Sequence, residues 1–465
     1  MPKRPALIAA LAALAALAAV GDAAADTAER PAIGFYRWQE DWSVLADPLL
    51  VREPGDALKY IPFGDDDPKR YLSFGITLRE RFESNDAPAF GVGGFDRRSY
   101  VIHRLEVHAD VHLSERTRAF VQIENALAPG LARPGPTDAN KLDLRLVFVD
   151  SSFDVGEGTF KYRIGRQEMA FDLQRFISVR DGPNVRQAYD AIWANYERDA
   201  WRISGFASRP VQYRNRSAFD DVSNPHLAYG GARVQHRDLG GGELSATYSE
   251  YRNDEANFPA ASGRERRRNL DLRYVGASRG FDWDLEGMSQ RGRIDGKAID
   301  AWAFGTLAGY TFAGATWKPR VGLQMDAASG DRHLADAQVG TFNPMFPNGY
   351  YVTLSGYTGY TNFIHLKPSL TLTPKTGVKL LMALGGLWRE TTQDAIFRQP
   401  NIPLPGSAGR AGRRTADYAE LRLDWAITRA WAAALEIDHY DVAPAVQRAG
   451  GHDSNYLGAE IRWGW

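Results

Sequence analysis

The side chains best equipped for chemistry in this sequence are its arginines. Of 56 basic residues, 46 are arginine and 10 are lysine. Arg79, Arg104, Arg145, Arg163, Arg202, Arg273, Arg422 and Arg462 each fall on the polar side of a short run in which apolar and polar residues alternate. A guanidinium presents a planar fork of donors that matches a carboxylate or phosphate. A surface carrying many of them points to the binding of anions. Glu106, Asp110, Asp143 and Glu460 share the same sides, so two readings stand together: a lining that attracts an anionic cargo, or a ladder of mutual ion pairs that stiffens the fold. The bland alternative for the arginine excess is a GC-rich genome that prefers Arg codons.

Catalytic and metal-binding patterns are weak. Gly276-Ala277-Ser278-Arg279-Gly280 fits G-x-S-x-G, but a nucleophile elbow needs a strand before it and a helix after it. Here a strand-like run follows at Phe281, so the string reads as a tight turn. His108, Asp110 and His112 share one strand face, where neighbours sit ~6.5–7 Å apart, too spread for one metal ion. Asp65-Asp66-Asp67 lacks the spacing of a calcium loop. No phosphate-binding or dinucleotide fingerprint is present. The chain has no cysteine and a net charge of −1, which excludes disulfides and thiolate chemistry and gives no basis for nucleic-acid binding. No enzyme, cofactor or metal site is expected.

The elements that must carry these arginines alternate with period two over runs of about ten residues, the mark of strands whose one face meets lipid and whose other face is wet. Leu457, Ala459, Ile461, Trp463 and Trp465 oppose Tyr456, Gly458, Glu460, Arg462 and Gly464. Leu72, Phe74, Ile76 and Leu78 oppose Ser73, Gly75, Thr77 and Arg79. Leu105, Val107, Ala109, Val111 and Leu113 oppose Arg104, Glu106, His108, Asp110 and His112. Leu142, Leu144, Leu146 and Phe148 oppose Lys141, Asp143 and Arg145, and the runs at Phe160 and Leu270 behave alike. Burying so many charges in a sandwich core would cost several kcal/mol each unless paired, whereas a water-filled lumen removes that cost. Eighteen such segments are expected, beginning near Tyr71, Tyr100, Arg118, Lys141, Thr159, Tyr189, Trp201, His226, Glu243, Arg268, Phe281, Asp300, Trp317, Thr361, Val378, Asp417, Ala430 and Tyr456. The fold class is therefore all-β: a transmembrane antiparallel up-and-down β-barrel of about 18 strands in the outer membrane. Connections alternate in length, with short ones such as 114–117 and long ones such as 84–98, 125–140, 168–188, 252–267 and 327–360. Short periplasmic turns and long outer loops are the habit of such barrels. The aromatic terminus resembles an outer-membrane assembly signal.

Upstream of the barrel, residues 1–25 read as a signal peptide: Lys3 and Arg4, an apolar run from Leu7 to Val20, and an A-x-A site at Ala23-Ala24-Ala25. Residues 26–70, with Trp38 and Trp42, read as a periplasmic N-terminal arm that enters the lumen, and residues 71–465 as the barrel.

Particular strings go further. Leu58-Lys59-Tyr60-Ile61-Pro62, Leu72-Ser73-Phe74-Gly75, Leu78-Arg79-Glu80-Arg81-Phe82-Glu83, Arg163-Ile164-Gly165-Arg166-Gln167-Glu168, Ala328-Ser329-Gly330-Asp331 and Thr341-Phe342-Asn343-Pro344-Met345-Phe346-Pro347 resemble, in order, the alginate export protein family. Asn362 and Leu366-Lys367-Pro368 continue the match, and the last strands follow it more loosely. The resemblance implies an eighteen-stranded monomeric barrel with an electropositive lumen that passes an anionic uronate polysaccharide outward. It singles out Arg79, Arg163 and Arg166 as pore residues. Together with the inward-facing set, the expected substrate-binding residues are Arg79, Arg104, Arg145, Arg163, Arg166, Arg202 and Arg273.

The expected function is a passive outer-membrane channel for an anionic polysaccharide or oligosaccharide, working in export. No energy source is visible, so a gradient or a periplasmic export partner must drive it. The expected partners are the sugar acid and the membrane lipid. The alternatives are a porin taking up small anions such as uronates, a lipase-type barrel enzyme, for which no Ser-His dyad is seen, and a closed structural or adhesive barrel.

Overall fold

The computed structural model describes residues 30–64, 67–94 and 97–465; the expected leader and the pair Asp65-Asp66 lie outside them. Eighteen long antiparallel strands form one closed sheet: β1 Tyr71–Asn85, β2 Arg98–Ser114, β3 Thr117–Leu127, β4 Asn140–Val155, β5 Gly158–Gln167, β6 Tyr189–Arg198, β7 Trp201–Gln212, β8 Leu227–Leu239, β9 Gly242–Phe258, β10 Ala261–Ser278, β11 Phe281–Ile294, β12 Lys297–Thr311, β13 Arg320–Ala328, β14 Phe363–Leu372, β15 Val378–Trp388, β16 Arg414–Ala426, β17 Trp431–Val442 and β18 Ser454–Gly464. Each strand pairs with the next, and β18 pairs back onto β1 from Thr77↔Gly464 to Asn85↔Tyr456. Closure leaves no free edge, which the hydrocarbon layer demands because it offers no water to unpaired amides.

The outward faces carry the apolar half of each alternation. Ile164, Ile192, Leu270, Leu272, Phe304, Val321 and Leu384 are exposed there. Beside the short turns the outward residues become aromatic: Phe153, Trp201, Phe281, Phe312, Trp317 and Trp431 are all exposed. Amphipathic rings concentrate where hydrocarbon meets headgroups. Within Gly276-Ala277-Ser278-Arg279-Gly280, the first three residues end β10, and Arg279 and Gly280, both at positive φ, form the two-residue hairpin turn to β11. Such a left-handed pair is the turn that matches strand twist.

The structure corrects two expectations. The alternation in β4 reverses midway. Gln122 pairs with Leu146 but Ile123 pairs with Leu144, so Arg145 is an extra residue. A β-bulge of this kind moves every later side chain to the other face. Leu146 and Phe148 therefore point into the lumen and are buried, while Val147 and Val149 face outward. The second correction concerns 252–267, expected as a long connection. β9 and β10 continue through it and meet at a turn of residues 259–260. Above the membrane the outer face of a strand meets water, so Arg252, Asn257, Arg264 and Arg266 break the apolar pattern without breaking the strand.

The barrel is not empty. Residues 168–188, between β5 and β6, and residues 329–362, between β13 and β14, fold inward. Phe176, Phe342, Phe346 and Tyr360 from these loops pack with Tyr189, Tyr229 and Tyr251 of the wall as the main hydrophobic core. From the other end, a segment of two 3-10 turns, Arg37–Gln39 and Trp42–Ala46, enters the lumen. Trp38 lies against Phe120 and the re-aimed Phe148, with ring centroids 6.0 and 5.8 Å away. The Arg37 guanidinium fastens it by donating to the Ile76 and Trp465 carbonyls.

Candidate functional site

The lumen narrows around one loop tip. Residues Asp181 to Asn184 hang from the 168–188 loop into a nest of arginines. The Asp181 carboxylate lies 2.5 Å from Arg104, 3.3 Å from Arg462, 3.6 Å from Arg79 and 3.8 Å from Arg186. Two of these guanidiniums and Arg81 take the loop's carbonyls: Arg79 donates to Asp181 and Pro183, Arg104 to Asn184, and Arg81 to Gly182. Arg79 and Arg104 are directly opposed on β1 and β2, and Arg462 pairs with Arg79 across the seam. Three cations are thus set side by side by strand register alone. Burial by itself raises the Asp181 carboxyl, and the arginines outweigh it and hold the group well below its ordinary value. Buried like-charged guanidiniums are costly unless an anion sits among them; here a protein carboxylate fills that place.

The other expected arginines are placed as follows. Arg145 points inward and pairs with Glu168 at 2.7 Å and Glu124 at 3.6 Å. Arg163 points inward, bonds Asp150 at 2.6 Å and lies 4.0 Å over the Phe148 ring. Arg202 points inward beside Glu197 at 2.6 Å. Arg273 bridges Asp172 at 2.9 Å and Asp284. Arg166 is a correction. It stands three residues from Arg163, an odd spacing that sends the two side chains to opposite faces of a strand. It shares the outward face with Ile164 and pairs with Asp190 at 2.8 Å, so it does not line the lumen. His108, Asp110 and His112 are inward but form no metal set: His108 stacks on Phe120, and Asp110 is bonded by Arg118 and His112.

Several lumen residues were not foreseen. Arg81 has the same parity as Arg79 and was readable from it. Asp181, Arg186 and Arg175 sit on a loop, where no periodicity announces an inward fold. Arg175 reaches Asp284 at 2.8 Å and Glu286 across the lumen. Asp172, Asp271 and Glu286 converge, and Arg233 joins Arg273 on Asp172, so this carboxylate group is already compensated by protein cations.

Two vestibules open on the short-turn side of the constriction, separated by the N-terminal segment. One, of about 490 Å³, ends on Asp181 and Gly182 and is walled by Arg81, Arg422, Arg462 and Lys379, with Asp424, Glu436 and Glu460 among them. The other, of about 590 Å³, carries Lys69, Arg116, Arg118, Lys161 and Arg163 beside Trp193, with Glu40, Asp41 and Asp150. Mixed charge of this kind attracts an anion without trapping it, the balance a conducting pore requires.

Comparison with known proteins places this architecture. A family model described as alginate export matches residues 70–460. No curated protein sequence matches. Among solved structures, the outer membrane protein opdK from Pseudomonas aeruginosa superposes with a TM-score of 0.56 at 12% identity, covering 85% of this chain and 98% of that one. OccD3 (OpdP) of the same organism gives 0.56 at 10% identity, with 85% and 91% covered. OccK2 (OpdF), solved in complex with glucuronate, gives 0.54 at 11% identity, with 84% and 98% covered. At these identities the likeness is one of fold.

Proposed function

The chain belongs to the alginate export family, and on that premise we propose that it is an outer-membrane channel that passes an anionic uronate polymer outward through the arginine-lined lumen, as a monomer and without catalysis. The observation that carries this reading is the Asp181 carboxylate seated among Arg79, Arg104, Arg186 and Arg462. A site that holds a protein carboxylate so is shaped for the carboxylate of a uronate residue. In this conformation the loop tip fills the site and the two inward loops fill the outer half of the lumen. Passage requires the tip to leave, and successive uronate carboxylates then take the place of Asp181. The acidic neighbours keep each station weak enough for release. No energy source lies within the chain, so a concentration gradient or a periplasmic export partner drives the movement.

A second reading, uptake of small sugar acids, is favoured by the size of the vestibules. Cavities of about 300–1,000 Å³ accommodate small ligands rather than a threaded polymer, and OccK2, of the same fold, is known bound to glucuronate. One experiment addresses both. Single-channel currents of the refolded protein are recorded in planar bilayers with monomeric uronate, short oligouronates and polyuronate added from either side. An anion-selective pore whose block strengthens with chain length supports the polymer channel. Equal block by monomer and polymer supports the small-anion porin. A cation-selective pore, or one indifferent to every uronate, removes both.

A further inference from the structure

A second cluster of carboxylates lies at the outer rim, on the far side of Arg145 from the lumen. Asp143 stands near the outer end of β4, and Asp220 and Asp221 lie on the 213–226 loop that joins β7 to β8. One oxygen from each can be chosen so that all three lie within 4.8 Å of one another. Their positions are fixed by neutral donors. Asp143 accepts from the backbone amides of Asp220 and Asp221 at 2.9 and 3.1 Å. Asp220 accepts from the amides of Arg216 and Ser217, and Asp221 from the amide of Arg214 and from Asn140 Nδ2, both at 2.7 Å. The inward carboxylates around Arg79, Arg145 and Arg273 have guanidinium partners. Among the described residues, none of these three has an ion-pairing partner: Arg166 is turned to Asp190 and Arg145 to Glu124 and Glu168.

A separate observation points to a missing ligand. Asn140 is 3% exposed, and its Oδ1 has no hydrogen-bond partner. It lines, with Asp143, Asp221 and Tyr213, a cavity of about 10 Å³, the space of one water-sized particle. Asp220 Oδ1 is likewise buried without a partner. A buried amide oxygen left unbonded beside three carboxylates that lack an ion-pairing partner is a costly arrangement that one cation resolves.

We propose that Asp143, Asp220 and Asp221, completed by Asn140 Oδ1 and water, bind a calcium ion that fastens the 213–226 loop to the barrel rim. All the donors are hard oxygens, with no nitrogen or sulfur, and they come from a strand and an irregular loop. Calcium accepts six to eight oxygens in flexible geometry, whereas magnesium demands a near-ideal octahedron and keeps its waters. Arg145 and Glu124 border the cavity on its lumen side, and Arg166 stands beyond Asp221.

The test uses the whole refolded barrel in detergent. Terbium is added as a calcium surrogate and its emission is excited through tyrosine, Tyr213 being in the cavity wall. The expected result is saturable emission, displaced by calcium at concentrations about tenfold lower than magnesium needs. Asp143→Asn and Asp221→Asn are expected to weaken binding by about tenfold or more. Should either fail to refold, Asp220→Asn serves, since the amide oxygen can keep both backbone hydrogen bonds while a charge is lost. Emission that persists undiminished in these variants, or its absence in the parent protein, overturns the site.

Discussion

Asp181 sets what a cargo must displace. Replacing it by Asn leaves the loop hydrogen bonds largely available but removes the one carboxylate shared by four guanidiniums, whose other partners are Glu106, Glu168 and Glu460. Block by polyuronate is then expected to tighten by about tenfold, worth ~1.4 kcal/mol, while the thermal midpoint falls because buried cations lose part of their compensation. Unchanged block in Asp181→Asn would show that the cargo does not use this cradle. Arg166→Ala supplies the contrast: facing outward to Asp190, it is expected to leave current and block unaltered. Asp221 carries a pH dependence of definite sign. Its folded value, about 6, lies above the unfolded one near 3.8, so the folded protein takes up a proton between these limits. In metal-free protein the 213–226 loop should therefore become more resistant to proteolysis as pH falls from 7 to 4.5. With calcium the order reverses, because the ion needs the ionised carboxyl. At this scale the sequence was informative wherever parity decides. Six of the seven expected arginines point inward, and Arg166 was separable from Arg163 by counting. Asp181 was not legible, because nothing in a loop sequence states where it folds.

Among the elements, the β4 bulge has the largest effect. By turning Leu146 and Phe148 inward it builds the seat in which Trp38 rests, so one extra residue in a strand docks a segment from more than a hundred positions upstream. Removing a buried Trp costs about 3–5 kcal/mol, more than so short a segment can spare. Trp38→Ala is expected to free the N-terminal segment, making it sensitive to protease and raising single-channel conductance from the short-turn side. Conductance equal to that of the parent would mean that the segment does not restrict the lumen. The bulge was hidden in the sequence because Leu146 and Phe148 fit the apolar side of a regular strand as well as Leu142 and Leu144 do. The run at 252–267 failed for the opposite reason: its outer face meets water, and a template that requires an apolar face stops too soon. Most strands were legible because lipid on one side and water on the other impose a strict alternation.

For the molecule as a whole, a formal net charge of −1 hides a lumen in which arginines cluster at β1, β2 and β18, buried Asp271, Asp284, Glu286 and Asp326 stand on β10, β11 and β13, and buried Glu420, Glu436 and Asp438 stand on β16 and β17, next to the arginine cluster. Selectivity that arises from such local fields is screened by salt, the Debye length falling from ~10 Å at 0.1 M to ~3 Å at 1 M. Anion preference measured by reversal potential is expected to weaken over that range; a preference independent of salt would assign it to pore width instead. The ladder that joins β18 to β1 has a further consequence, for the order of events in assembly. Every other pairing in the wall links strands adjacent in sequence, but this one joins Thr77 to Gly464, and contacts so distant along the chain form slowly. Until the final strand arrives, the growing sheet presents two raw edges able to recruit any extended chain nearby. A lesion in β18 should therefore reveal itself as aggregation before it is seen as lost transport.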